Sequence, residues 1–131
     1  MILGRNYRFA INNQAGVAVA VTLQARRWRF DATGALEWDA EAEVLNASGI
    51  ASSATAWTTG AGIDNSGGKW LGADLELVVT PSASASGSVT LQIEHSTDGG
   101  GTWPTAGGGV VLGGATFSAS AVAQTKSIRL E

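Results

Sequence analysis

From Leu36 to Val44 apolar and acidic residues alternate without a fault. Leu36, Trp38, Ala40, Ala42 and Val44 hold one parity, and Glu37, Asp39, Glu41 and Glu43 hold the other. A period of two places successive side chains on opposite faces of an extended strand, whereas a helix would scatter the same residues around its axis. The pattern recurs in Val17, Val19, Val21, Leu23 and Ala25, in Leu71, Ala73, Leu75, Leu77 and Val79, and in Val89, Leu91, Ile93 and His95. Helical spacing is absent, so the chain is expected to be all-β.

One stretch breaks the rule in an informative way. After Ala25 the large apolar residues move to even positions, Trp28 and Phe30, and the parity flips at Arg26-Arg27. A one-residue slip sends every later side chain to the other face, so a β-bulge at that pair would return Trp28 and Phe30 to the core. Asp31-Ala32-Thr33-Gly34 supplies turn chemistry. A hairpin follows, with Phe30 opposite Leu36, Trp28 opposite Trp38, Arg29 opposite Glu37 and Arg27 opposite Asp39. Beyond the bulge the same register sets Ala25 against Ala40, Leu23 against Ala42 and Val21 against Val44.

Downstream, Pro81 ends the third apolar run, and Ser82 to Gly87 reads as a loop of small residues. Shorter strands are expected around Val110 to Leu112, Thr116 to Ala119 and Ser127 to Leu130, separated by glycine clusters. Seven to eight strands with frequent turns point to one domain over residues 1–131, an antiparallel β-sandwich or jelly roll. Gly, Ala, Ser and Thr make up 64 of the 131 residues. In so light a chain the five Trp are expected to fill much of the space between the sheets.

Composition narrows the chemistry. The absence of Cys removes disulfides, thiolate metal sites and cysteine nucleophiles, and one His, His95, cannot build a histidine cluster. A net charge of -3 argues against nucleic acid as partner. Arg5, Arg8 and the Ala-rich residues 15–20 loosely imitate a secretory leader, but Asn12, Asn13 and Gln14 interrupt it, so the segment reads as structure. No apolar run approaches the roughly 18 residues of a membrane span. We expect neither a membrane partner nor a cofactor.

Ser96-Thr97-Asp98-Gly99-Gly100-Gly101-Thr102-Trp103 is the sharpest local motif. It fits the pattern Ser-x-Asp-x-Gly-x-Thr-Trp and resembles the Asp-box turns of sialidases and other β-propellers. In those families the motif staples a hairpin and is not catalytic, so Ser96, Asp98, Gly100, Thr102 and Trp103 are expected to be structural. One copy cannot build a propeller, and Tyr7 is the only tyrosine. The stripe Glu37, Asp39, Glu41 and Glu43 reads as a solvated face paired with Arg27 and Arg29. His95 reads as a strand-end residue at the sheet rim, with no serine elbow beside it. Gly60-Ala61-Gly62-Ile63-Asp64-Asn65 lacks the third glycine and the helix of a dinucleotide fingerprint. Asp64, Asn65 and Asp98 offer too few oxygens for a Ca²⁺ site. The basic-aromatic run Arg26 to Phe30 is explained by its strand, beside an acidic neighbour that would repel phosphate.

Two stretches resemble small structural proteins of tailed bacteriophages. Asp64-Asn65-Ser66-Gly67-Gly68-Lys69-Trp70 running into the strand Leu71 to Leu77 is one, and the turn Ser96 to Pro104 is the other. The resemblance implies a non-enzymatic virion protein assembled in the host cytoplasm, foremost a capsid decoration or cement protein on the major-capsid lattice. A tail or baseplate component is the alternative in that class. Its partners would be the major capsid protein or other virion proteins, with a homo-oligomer, a trimer foremost, joined through exposed β edges and flat sheet surface. The rival reading is a carbohydrate-binding module, with Trp57 and Trp70 as a sugar-stacking contact surface.

Overall fold

The computed structural model describes residues 3–131, and every regular element among them is a β-strand. Sheet A contains β1 (Asn6–Gln14), β5 (Thr58–Thr59), β6 (Ile63–Asp64), β8 (Ala85–His95) and β9 (Val110–Ser120). Its order is β5-β1-β8-β9, with β6 on the same edge of β1 as β5. Sheet B contains β2 (Val19–Phe30), β3 (Leu36–Trp38), β4 (Ala42–Ile50), β7 (Gly72–Pro81) and β10 (Gln124–Leu130). Its order is β10-β7-β2-β3, with β4 extending the lane of β3 along β2. Every pairing is antiparallel. The two sheets form a β-sandwich, and the broken lanes β3/β4 and β5/β6 reduce the described strands to eight lanes, in line with the seven to eight that the alternation predicts.

The core is the meeting of the two inward faces. Tyr7, Phe9 and Ile11 of β1, Val89, Leu91 and Ile93 of β8, and Ala115 and Phe117 of β9 meet Val19, Val21 and Leu23 of β2, Leu75, Leu77 and Val79 of β7, and Leu45 of β4. Enclosing an aliphatic or Phe side chain of this kind contributes about 1.5–3 kcal/mol. The largest fully buried side chains are Tyr7, Phe9, aliphatic residues and Glu94, with no Trp among them. This corrects the expectation that tryptophan fills the interior. Trp70 alone is buried, and Trp28, Trp38, Trp57 and Trp103 are half-buried.

The bulge lies elsewhere than at Arg26-Arg27. β2 pairs with β7 residue for residue from Val19 opposite Pro81 to Trp28 opposite Gly72, so its parity never changes. The predicted pairs Trp28–Trp38, Arg29–Glu37 and Phe30–Leu36 are present. Beyond them Ala25 faces Ala42, Leu23 faces Leu45 and Val21 faces Ala47, two to three residues away from the expected partners. The extra residues all sit on the β3/β4 lane. That lane is an edge, free to bend, whereas β2 is held from both sides. The perfect alternation of 36–44 therefore spans two strands, and the core residue of the second is Leu45. Trp28 and Phe30 face outward, and Arg27 takes the inward parity at the end of the sandwich.

The sheet edges are blunted. β5 and β6 are two residues each, β3/β4 is bulged and carries Glu37, Asp39 and Glu43 in or beside its strands, and β10 presents Lys126 and Arg129. β9 has no charge, but Gln92 faces Val111 while Leu91 faces Gly113, which leaves Leu112 as an extra residue, and a second irregularity follows near Phe117. Bulges and charges of this kind discourage strand addition. The edges are thus poorly suited to the edge-to-edge association expected of them.

Candidate functional site

The turn at Ser96 is closed by its own side chains. The Ser96 hydroxyl donates to Asp98 Oδ1 at 2.8 Å and accepts from Gly100 N–H at 2.9 Å, while Thr102 N–H donates to the same Oδ1 at 2.7 Å. The Thr102 hydroxyl, the Thr102 N–H and the Ser96 hydroxyl together hold the Asp98 carboxyl down at about 2. Positive φ at Gly99 and Gly100 lets the chain reverse. Trp103 then folds back, with the Arg8 guanidinium 4.6 Å from its ring centroid. A Cβ on Gly62 would stand 2.9 Å from the ring, so glycine permits the close packing.

Trp103 belongs to a roof over the outer face of sheet A. Two loops, residues 51–57 and 97–109, cover outward-facing residues of β1 and β8. Asn12 donates to the carbonyls of Ser53 and Ala56, both at 2.9 Å. Gln92 accepts from Gly109 N–H at 3.1 Å. Arg8 donates to Glu94 at 2.6 Å, with the Glu94 side chain 1% exposed. Trp57 lies in this roof against Gly107, where an added Cβ would come within 3.2 Å of the indole nitrogen.

Trp70 stands elsewhere, as a plug at the end of the sandwich. Asn65 Oδ1 accepts Trp70 N–H at 2.9 Å, and Asn65 Nδ2 donates to the carbonyls of Trp70 and Gly4 at 2.8 and 3.2 Å. Arg29 and Arg27 lie 4.4 and 5.4 Å from its ring centroid. Both guanidiniums are held in turn, Arg27 on Asp39 at 2.6 Å and Arg29 on Glu37 at 2.9 Å. Burial raises the Tyr7 hydroxyl above its ordinary value, opposed by the neighbouring Arg27. Trp57 and Trp70 therefore contribute to separate parts of the molecule and do not make a shared contact surface.

The remaining polar residues read from the sequence fall into place locally. Glu43 bonds Gln24 and Asn46 at 3.2 and 2.9 Å, which with the two Arg pairs engages most of the acidic stripe. His95 closes β8 over Gly4, and burial lowers its pKa. Asp64 accepts Ser66 N–H at 2.8 Å, in a turn of its own. Among the described residues no three His, Asp or Glu gather as metal ligands.

The surface that sequence reasoning missed is the outer face of sheet B. Trp28 and Phe30 stand opposite Trp38 and Leu36, and these four side chains with Arg129 and Glu131 line a shallow concavity. Phe30 is 56% and Leu36 53% exposed. The rings of Trp28 and Phe30 meet edge to face at 5.9 Å, and Arg26 lies 5.0 Å from the Trp38 centroid. Trp28 lies over Gly72, where an added Cβ would come within 2.5 Å of its ring. The signal was in the sequence, in the even parity of Trp28 and Phe30 taken without a bulge.

The chain matches no protein-family model, no curated protein and no solved structure. Its buried polar groups bind loops to sheets, and its aromatic cluster on sheet B is left partly exposed.

Proposed function

We propose that this chain is a non-enzymatic structural protein of a tailed-bacteriophage particle, foremost a capsid decoration or cement protein bound to the major-capsid lattice as a trimer or other cyclic oligomer. The observation that carries the reading is that the two segments resembling phage virion proteins converge on one short stretch of β1 and its approach. Asn65 holds Arg5 and Gly4 through its N–H and its amide, while Ser96 N–H donates to the Asn6 carbonyl at 3.0 Å and Trp103 packs beside Arg8. The two motifs thus build one clamp, which favours a likeness to a single structural unit over two unrelated short matches.

A rigid body with blunted edges is what a lattice-bound part needs. Many copies sit close together, and each must bind its neighbours without exchanging strands with them. Cooperative binding over the lattice then stabilises the particle by mass action. The test is to assemble particles with and without the protein and heat both. Particles lacking it are expected to open at lower temperature and to recover when the purified protein is added back. Equal heat resistance with no binding of added protein would overturn the cement role, and cryo-EM density on the tail would move the protein there.

A further inference from the structure

We propose that the outer face of sheet B is a binding site for a neutral oligosaccharide, independent of the virion reading. Two adjoining depressions cross this face. The first is the aromatic concavity of Trp28, Phe30, Leu36 and Trp38. The second is mixed, with Gln24, Arg26, Glu41, Asp74 and Glu76 at its surface and Leu75 and Ile128 among its apolar lining. Arg129 lines both and stands between them, its guanidinium donating to both oxygens of Asp74 at 2.7 and 3.0 Å.

The register explains the two depressions. Even positions of β2 point away from the core, which sets Trp28, Arg26 and Gln24 in a row. Opposite them on β7 stand Gly72, Asp74 and Glu76, and on β10 Arg129 and Ser127 stand opposite Asp74 and Glu76. A pyranose offers an apolar face of C–H groups and a rim of hydroxyls. The indole of Trp28 and the face of Trp38 away from Arg26 supply stacking area. Glu41 and Glu76, and the remaining lone pairs and N–H groups of the Asp74–Arg129 pair and of Gln24, which also bonds Glu43, supply acceptors and donors for the hydroxyls.

Charge selects among the occupants. Across the two depressions Arg26 and Arg129 are outnumbered by Glu41, Asp74, Glu76 and Glu131. A nucleic acid, an acidic polysaccharide and a second copy of the same face would all meet like charge, which disfavours them. The four apolar side chains also cover far less area than a stable protein pair buries. A neutral sugar has neither obstacle. The assignment differs from a Trp57–Trp70 platform in using surface that no loop covers.

The experiment is a glycan array of neutral and acidic oligosaccharides probed with the full chain, followed by tryptophan-fluorescence titration of the hits. We expect neutral glycans to bind. Trp28→Ala and Trp38→Ala are each expected to weaken binding roughly tenfold or more, as loss of a stacked ring does. Trp57→Ala is expected to leave it unchanged, and circular dichroism and melting of each variant separate lost binding from lost fold. No neutral glycan bound by the parent, affinity retained in both Trp28→Ala and Trp38→Ala, or hits confined to acidic glycans would each overturn the proposal.

Discussion

The outer faces of the two sheets invert the usual relation between polarity and burial. On sheet A the outward positions of β1 and β8 hold Asn12, Gln92 and Glu94, which are buried under loops 51–57 and 97–109. On sheet B the outward positions of β2 and β3 hold Trp28, Phe30, Leu36 and Trp38, which remain partly or largely open. The difference lies in what each face can bond. Polar outward groups at sheet A capture loop carbonyls and N–H groups, and each bond offsets the cost of leaving water. The aromatic end of sheet B offers no such anchors, so no loop settles on it.

The comparison can be broken at its strongest point first. Arg8→Ala leaves the Glu94 carboxylate buried without its ion pair and removes the cation over Trp103, so it should destabilise the fold by about 3 kcal/mol, read as a lower urea midpoint. A loss as small as that of an exposed ion pair would mean that the roof opens readily and lets water reach Glu94.

Acid probes the same roof at its hinge. The Asp98 pKa is depressed to about 2, so its contribution is present above the unfolded carboxylate value and is lost as pH falls through the folded one. Between pH of about 4 and 2 the melting temperature of the parent should fall more steeply than that of Asp98→Asn, which has no charge to titrate at that position. Identical slopes would remove Asp98 as the acid-sensitive anchor. The smallest effect belongs to sheet B. Leu36→Lys on the bare face should change stability by no more than about 0.5 kcal/mol in chemical denaturation, and a larger loss would show that this face is packed in solution.

Much of the architecture is legible in the residues. Alternation marks the strands, Pro81 ends β7, and the Asp31 turn sets the β2–β3 hairpin in its register, with Asp31 Oδ1 accepting from Thr33 and Ala35 N–H. The error came from assuming that large aromatic residues belong inside. That assumption called for a bulge in β2, where the pairing with β7 forbids one, and it hid the aromatic face. The end of the sandwich is closed instead by Trp70, Tyr7 and the inward Arg27, a combination that polarity patterns do not announce. The buried roles of Asn12 and Gln92 were equally hidden, because their partners are loop backbone groups whose approach depends on the tertiary fold.

The pairing of β1 with β8 has a consequence for how the molecule forms. Arg8 and Glu94 lie 86 residues apart in sequence. On the ribosome the first strand emerges long before the strand that completes it, and β7 must likewise wait for β10. Closing such distant pairs makes folding slow, on the order of milliseconds to seconds. In that interval the nascent chain presents apolar strands with unpaired backbone, and the bulges that blunt the finished edges are not yet in place to protect it.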